Sequence, residues 1–169
     1  MEGDVQEAGG NHELLMLEKI ISGGQTGVDQ AGLDFAIENG IPHGGTCPKG
    51  RLSEDGPIPS CYHLVESFAA TYPPRTQANV EEADGTVIFC VNSINLESGC
   101  LLTASLCKER RKPCIVFRLD DPDEEGNWRR LRVFLEGNNI KVLNVAGARG
   151  SRRPDVGRVK RILAKAILR

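Results

Sequence analysis

Three observations predict an α/β fold with a single doubly wound, mostly parallel sheet and helices on both faces. From Glu18 onward, apolar runs of strand length alternate with helical patterns. Thr86-Val87-Ile88-Phe89-Cys90-Val91 is an unbroken, β-branched run too short for a helix, as a central strand requires. Ile20 to Asp29 reads as a strand, a glycine-rich turn and the first turn of a helix.

The first strand is expected over Lys19 to Gly23. A helix from about Val28 to Asn39 follows, stopped by Asn39-Gly40 and Pro42. A short glycine-rich strand, His43 to Thr46, leads into an irregular segment from Cys47 to Ser60 that contains Gly50, Gly56, Pro57 and Pro59. Connections of that length usually carry function, so it reads as a flap over the site. Tyr62 to Glu66 suggests an edge strand and Arg75 to Ala83 a helix following Pro73-Pro74. Asp84-Gly85 turns into the central strand. Beyond it come a helix from about Gly99 to Arg111, a strand from Cys114 to Leu119, a polar turn from Asp120 to Gly126 and a helix from about Asn127 to Glu136. A strand from Ile140 to Val145 and an amphipathic helix from about Pro154 to Leu168 finish the pattern. The last helix turns Val156, Val159, Leu163 and Ala166 inward and Arg158, Lys160, Arg161 and Lys165 largely outward. Five or six such strands joined by right-handed crossovers form a Rossmann-like sheet. Ligands of such sheets bind beyond the carboxyl ends of the strands, which points to Gly23 to Gly27, Val91 to Gly99 and Ala146 to Arg153.

A length of 169 residues with 40% hydrophobic content suits one domain, placed at residues 17–169. Residues 1–16 carry Glu2, Asp4, Glu7 and Glu13 without Lys or Arg and read as a disordered leader. A net charge of −2 argues against a general nucleic-acid binder. There is no apolar run of the ~18 residues a membrane span needs and no signal-peptide pattern, so the expected location is the cytoplasm, away from membranes. The six cysteines form no C-x-x-C pair and are expected to be reduced thiols.

The candidate chemistry starts at Gly23, Gly24, Gln25, Thr26 and Gly27. Glycines let the backbone approach a ligand, and amides entering a helix, backed by its dipole, form an anion cradle. The spacing matches neither G-x-G-x-x-G nor the Walker loop. Thr26 and Asp29 also spell a capping box that needs no ligand. Lys49 and Arg51 suit an anion. The nearby Cys47 is either a soft-metal contact or a small buried packing residue. Glu54 and Asp55 are adjacent and point apart, so spacing does not make them an acid/base pair. Arg75-Thr76, with Asn79 one turn on, could offer a cation and a hydroxyl to an anion or simply start a helix. Arg149 and Ser151, between Gly147 and Gly150, make a second ligand loop or a basic solvated turn. His43 and His63 lack the spacing of a helical zinc pair, and no nucleophile with a base is recognisable, so neither a metal site nor a catalytic group is expected.

These residues resemble the molybdenum carrier family, the molybdenum-cofactor carrier proteins. The resemblance rests on Ser22 to Asp29 (SGGQTGVD), Gly44 to Arg51 (GGTCPKGR) with Glu54 to Gly56, Arg75-Thr76 with Asn79-Val80, Asp84 to Phe89 (DGTVIF), and Asn144 to Gly147 with Arg149 and Ser151. It implies a Rossmann-like fold, a homo-oligomer, and binding of the molybdenum cofactor (molybdopterin, a pterin monophosphate whose dithiolene holds molybdenum) for protection and handover to molybdoenzymes. Where that family carries a Gly-Gly-Thr turn, this chain has Ser98-Gly99-Cys100, with Gly99 kept as a ligand candidate and Thr103 following. The similar cytokinin-activating phosphoribohydrolases carry a glutamate at the place of Thr103.

The expected function is therefore non-catalytic binding and carrying of an anionic small molecule, foremost the molybdenum cofactor. The alternatives are a nucleotide N-glycosidic hydrolase, with Asp29 or Glu54 polarising water, and a nucleotide-sensing module.

Overall fold

The computed structural model describes residues 17–92 and 98–168. The expected leader and most of the loop after the central strand lie outside the described residues. The first half contains β1 (Lys19–Ile21), α1 (Val28–Glu38), β2 (His43–Gly44), β3 (Thr46–Cys47), β4 (Leu52–Ser53), β5 (Gly56–Pro57), β6 (Val65–Glu66) and α2 (Tyr72–Glu82). The second half contains β7 (Gly85–Cys90), α3 (Ser98–Glu109), β8 (Cys114–Arg118), α4 (Glu124–Gly137), β9 (Val142–Gly147) and α5 (Val156–Ile167). The main sheet has five strands, all parallel, in the order β2-β1-β9-β7-β8. Among the described residues no helix is long and apolar enough to cross a membrane.

The central strand β7 is buried throughout, and its side chains alternate between two cores. Val87 and Phe89 join the large cluster built with α1, α4 and α5, whereas Ile88 and Cys90 pack with Cys100 of α3. Helices α1 and α4 both pack on α5, while α2 packs on α3, so the two groups cover opposite faces. With β9 counted first, the order becomes 3-2-1-4-5, that of a doubly wound fold. The last strand therefore occupies the central place from which such sheets are ordinarily built.

Several expectations are corrected. The strand expected at His43 to Thr46 is two strands in different sheets. The Asn79 amide accepts from Thr46 N at 2.8 Å and donates to Thr46 O at 2.9 Å, diverting the chain toward β6. Helix α2 starts before its prolines, because the N–H groups they lack have no intrahelical partner in a first turn. Helix α4 starts early because the Asp123 carboxylate accepts from Gly126 N at 2.9 Å. On α5 the buried stripe is Val159, Ile162, Leu163 and Ala166; Val156 is 40% exposed. Arg158 turns in rather than out, donating to the carbonyls of Leu119 and Asp121.

The irregular segment after β3 is packed down. Ile58 and Tyr62 form a small core with Leu33 and Cys47, and the Tyr62 hydroxyl donates to Asp34 at 2.6 Å. Arg51 donates to the carbonyls of Ile58, Pro59 and Tyr62, which closes the excursion on itself.

Candidate functional site

A crevice of about 620 Å³, counted to its open mouth, lies at the carboxyl ends of β1, β9 and β7, where the strand order reverses. Its basic side is Arg75 from α2 and Arg149 from the loop after β9, and its acidic group is Asp29 from α1. The floor includes Asn144 and Gly147, and the first turns of α3 contribute Gly99 and Thr103. Tyr72 and Thr76 complete the α2 side.

Gly23 explains how Arg75 arrives. A Cβ there would lie 1.6 Å from Arg75 Nη1, so the missing side chain makes room for the guanidinium. Arg75 Nη1 reaches Asp29 Oδ2 at 3.0 Å, with the two side chains 13% and 6% exposed. The same oxygen accepts from Gln25 N at 3.2 Å. Burial pushes the Asp29 carboxyl above its ordinary value, opposed by the charge and hydrogen bond of Arg75. Arg75 Nε is buried and has no hydrogen-bond partner among the described residues.

The glycine turn itself is covered. Gly24 lies under Ile58 and Leu64. Thr26 N and Glu54 N both donate to Gln25 Oε1, at 3.1 and 3.0 Å, and Val28 N donates to Ala148 O at 3.0 Å. The amides of Gln25 and Thr26, expected to face an anion, are thus spent on neighbouring side chains. The Thr26–Asp29 capping box does not form either. Gly27 is the N-cap, at φ 84°, and a Cβ on it would lie 2.4 Å from Ala148 O. The Thr26 hydroxyl donates instead to Glu54 Oε1 at 2.6 Å and accepts from Gly150 N at 3.0 Å. Glu54 also accepts from Ser151 N and Ser151 Oγ, each at 2.8 Å, forming a clasp between the excursion, the turn and the last loop. The Thr26 and Ser151 donors and the Arg149 charge hold the Glu54 carboxyl below the usual range.

Of the residues singled out in the sequence, Gly23, Gln25, Arg75, Thr76, Gly99 and Arg149 meet in the crevice. Thr26 and Ser151 are taken up by the Glu54 clasp, and Gly24 and Gly27 are packed behind the wall. Lys49 is exposed on the excursion, its N–H donating to Ala69 O at 2.9 Å, and Arg51 is committed to carbonyls. Cys47 is buried, which pushes its thiol up, as befits a packing residue. Among the described residues no three His, Cys, Asp or Glu side chains cluster as metal ligands. Sequence reasoning missed Tyr72 and the role of Asn144. A polar residue inside the apolar run Val142 to Ala146 was the available signal for the latter.

Against known proteins, the chain matches the Circularly permutated YpsA SLOG family over residues 20–168. No curated protein matches it. A crystal structure described as "Putative molybdenum carrier protein" from Syntrophus aciditrophicus SB has the same fold, with a TM-score of 0.84 and 40% identity over 90% of this chain and 96% of that one. The resemblance to molybdenum carriers noted in the sequence is thus matched by a neighbour bearing that name. The sheet carries the permutation in its strand order, and with the match spanning β1 to α5 the chain belongs to the circularly permutated YpsA SLOG family.

Proposed function

We propose that the protein binds and carries a phosphate-bearing small molecule in the crevice between β9 and β7, and that this guest is the molybdenum cofactor. The supporting observation is Arg75 Nε. A buried guanidinium N–H without an acceptor costs free energy, and a guest oxygen reaching it would recover that cost. Arg149 and the positive end of α3 offer further charge for a phosphate, and Asn144 and Asp29 line the crevice as hydrogen-bonding groups for a pterin edge. Molybdenum would arrive on the guest's own sulfur atoms, so no protein ligand set is required. The name of the Syntrophus aciditrophicus neighbour supports the same guest. Molybdoenzymes are the receivers in this reading. The carrier is a homo-oligomer, to which the exposed Val65 and Phe68 offer apolar surface.

The hydrolase alternative has less support. Thr103 donates its hydroxyl to Gly99 O at 2.9 Å where the hydrolases carry an acid, and Asp29 is already engaged by Arg75. Calorimetric titration of the purified protein with molybdenum cofactor, guanosine monophosphate and molybdate tests the proposal. Cofactor binding that weakens at least tenfold in Arg149→Ala supports it; binding untouched by substitution of both Arg75 and Arg149 refutes it.

A further inference from the structure

Away from the crevice mouth, Cys90, Cys100, Cys107 and Cys114 gather on the face covered by α2 and α3. Cys107 and Cys114 are not joined by a disulfide. Within this group Cys107, near the end of α3, is fully buried, and Cys114, opening the edge strand β8, packs against it while keeping partial exposure. The connection between them is short, and Lys112 N donates to Cys107 O at 2.9 Å, drawing the start of β8 onto the helix end. Cys114 is also the register partner of Thr86 on β7. The Cys107 sulfur therefore has two donors beside it, the Cys114 thiol and the Thr86 hydroxyl. The Thr86 oxygen in turn accepts from Asn144 Nδ2 at 3.3 Å, and Asn144 lines the crevice.

We propose that Cys107 and Cys114 are a redox-active dithiol that a peroxide closes to a disulfide, and that Thr86 and Asn144 relay its state to the crevice floor. The reduced pair is arranged as such chemistry requires. Hydrogen bonds from Cys114 and Thr86 lower the Cys107 thiol to about 7, while its bond to Cys107 and burial push the Cys114 thiol up. The two sulfurs share a proton across their contact, and the partly exposed Cys114 is the one a peroxide can reach. Cys114 passes its proton to the Cys107 thiolate and attacks one peroxide oxygen; the O–O bond breaks, and the departing hydroxide takes a proton to leave as water. The Cys107 sulfur then attacks the Cys114 sulfenic sulfur, forming the S–S bond. The sulfenic hydroxyl departs with the Cys107 proton as a second water. Two thiols lose two electrons and one peroxide gains them. A disulfide sulfur is a far poorer acceptor than a thiolate, so Thr86 loses its partner and the hydrogen bond that orients Asn144 is reset.

Reduced full-length protein treated with dilute hydrogen peroxide, alkylated and digested with trypsin and chymotrypsin together tests this. Lys108, Arg110 and Arg111 separate Cys107 from Cys114, and cleavage after Leu101, Leu102 and Leu106 separates Cys107 from Cys90 and Cys100. The expected result is a cross-linked pair joining Cys107 to Cys114, lost on reduction, and absent from Cys114→Ser. In ¹⁵N-labelled protein the Asn144 side-chain amide signals should move on oxidation of the wild type and stay in place in Cys114→Ser. The dithiol is overturned if both cysteines remain alkylatable while the exposed Cys61 is oxidised, or if Cys114 is bridged to Cys90 or Cys100 instead. A disulfide that leaves the Asn144 signals unmoved overturns the relay. The wild-type peptide map decides the dithiol even if the variant does not fold.

Discussion

Replacing Arg75 with leucine should expose how much the crevice depends on its buried ion pair. Arg75 Nη1 and Asp29 Oδ2 lie 3.0 Å apart with little exposure on either side, which separates this contact from surface pairs worth less than about 1 kcal/mol. Removing one partner of a buried pair leaves an uncompensated charge and typically costs about 3–5 kcal/mol. The Gln25 amide remains on the Asp29 carboxylate, so the lower end of that range is expected. The cost should also depend on pH. Burial already sets the folded Asp29 carboxyl above its ordinary 3.8, so its contribution to stability is full below that value and is lost as pH rises through the folded value. Without the opposing Arg75 charge the folded value climbs further, and the deficit of Arg75→Leu relative to wild type must grow from pH 4.5 to pH 7. Urea unfolding at both pH values measures this. A loss below about 1 kcal/mol at pH 7, or an equal loss at the two pH values, would refute the argument. The double variant Arg75→Leu/Asp29→Asn should recover most of the stability, because no buried charge is left unpaired.

Gly27→Ala should cost more than about 2 kcal/mol in the same assay, since it combines a positive φ with a Cβ 2.4 Å from the Ala148 carbonyl that holds Val28 N. Glu54→Gln should loosen the loop after β9, read as faster hydrogen exchange at the Gly150 and Ser151 amides. The folded Glu54 carboxyl lies below its ordinary 4.5, so the clasp is intact above that value and weakens as pH falls through the folded one; exchange at those amides in the wild type should show the corresponding loss of protection in acid. Arg149→Ala should leave unfolding midpoints within error while lowering affinity for a phosphate-bearing guest at least tenfold, as loss of a charge-assisted hydrogen bond of roughly 1.5–3 kcal/mol requires.

Elements with a strong local signal were legible. The β-branched run at Thr86 to Cys90 could be nothing but an interior strand, and its alternate side chains fill two separate cores. The Gly23 to Gly27 turn announced a junction that positions a site, but the destination of its amides was not readable. Gln25 and Asp29 fold back as acceptors for amides in the turn, and Glu54 arrives from a segment that read as a flap over the site. Arg51 and Arg75 were equivalent in the sequence. One is bound to three carbonyls of its own excursion and the other is laid across Gly23 into the crevice, a difference made by long-range packing. The strand order was equally hidden, because parallel runs of similar length carry no label for their neighbours.

The place of β9 has a consequence for biogenesis. On the ribosome the chain makes β2-β1 and β7-β8 long before it makes the strand that hydrogen-bonds to both β1 and β7. Until residues 142–147 emerge, the two halves share no ladder, and the apolar faces of Val87 and Phe89 wait for partners on α5. Completion of the domain is therefore a late, long-range closure, and nascent chains stalled short of it are the species a chaperone would need to shield.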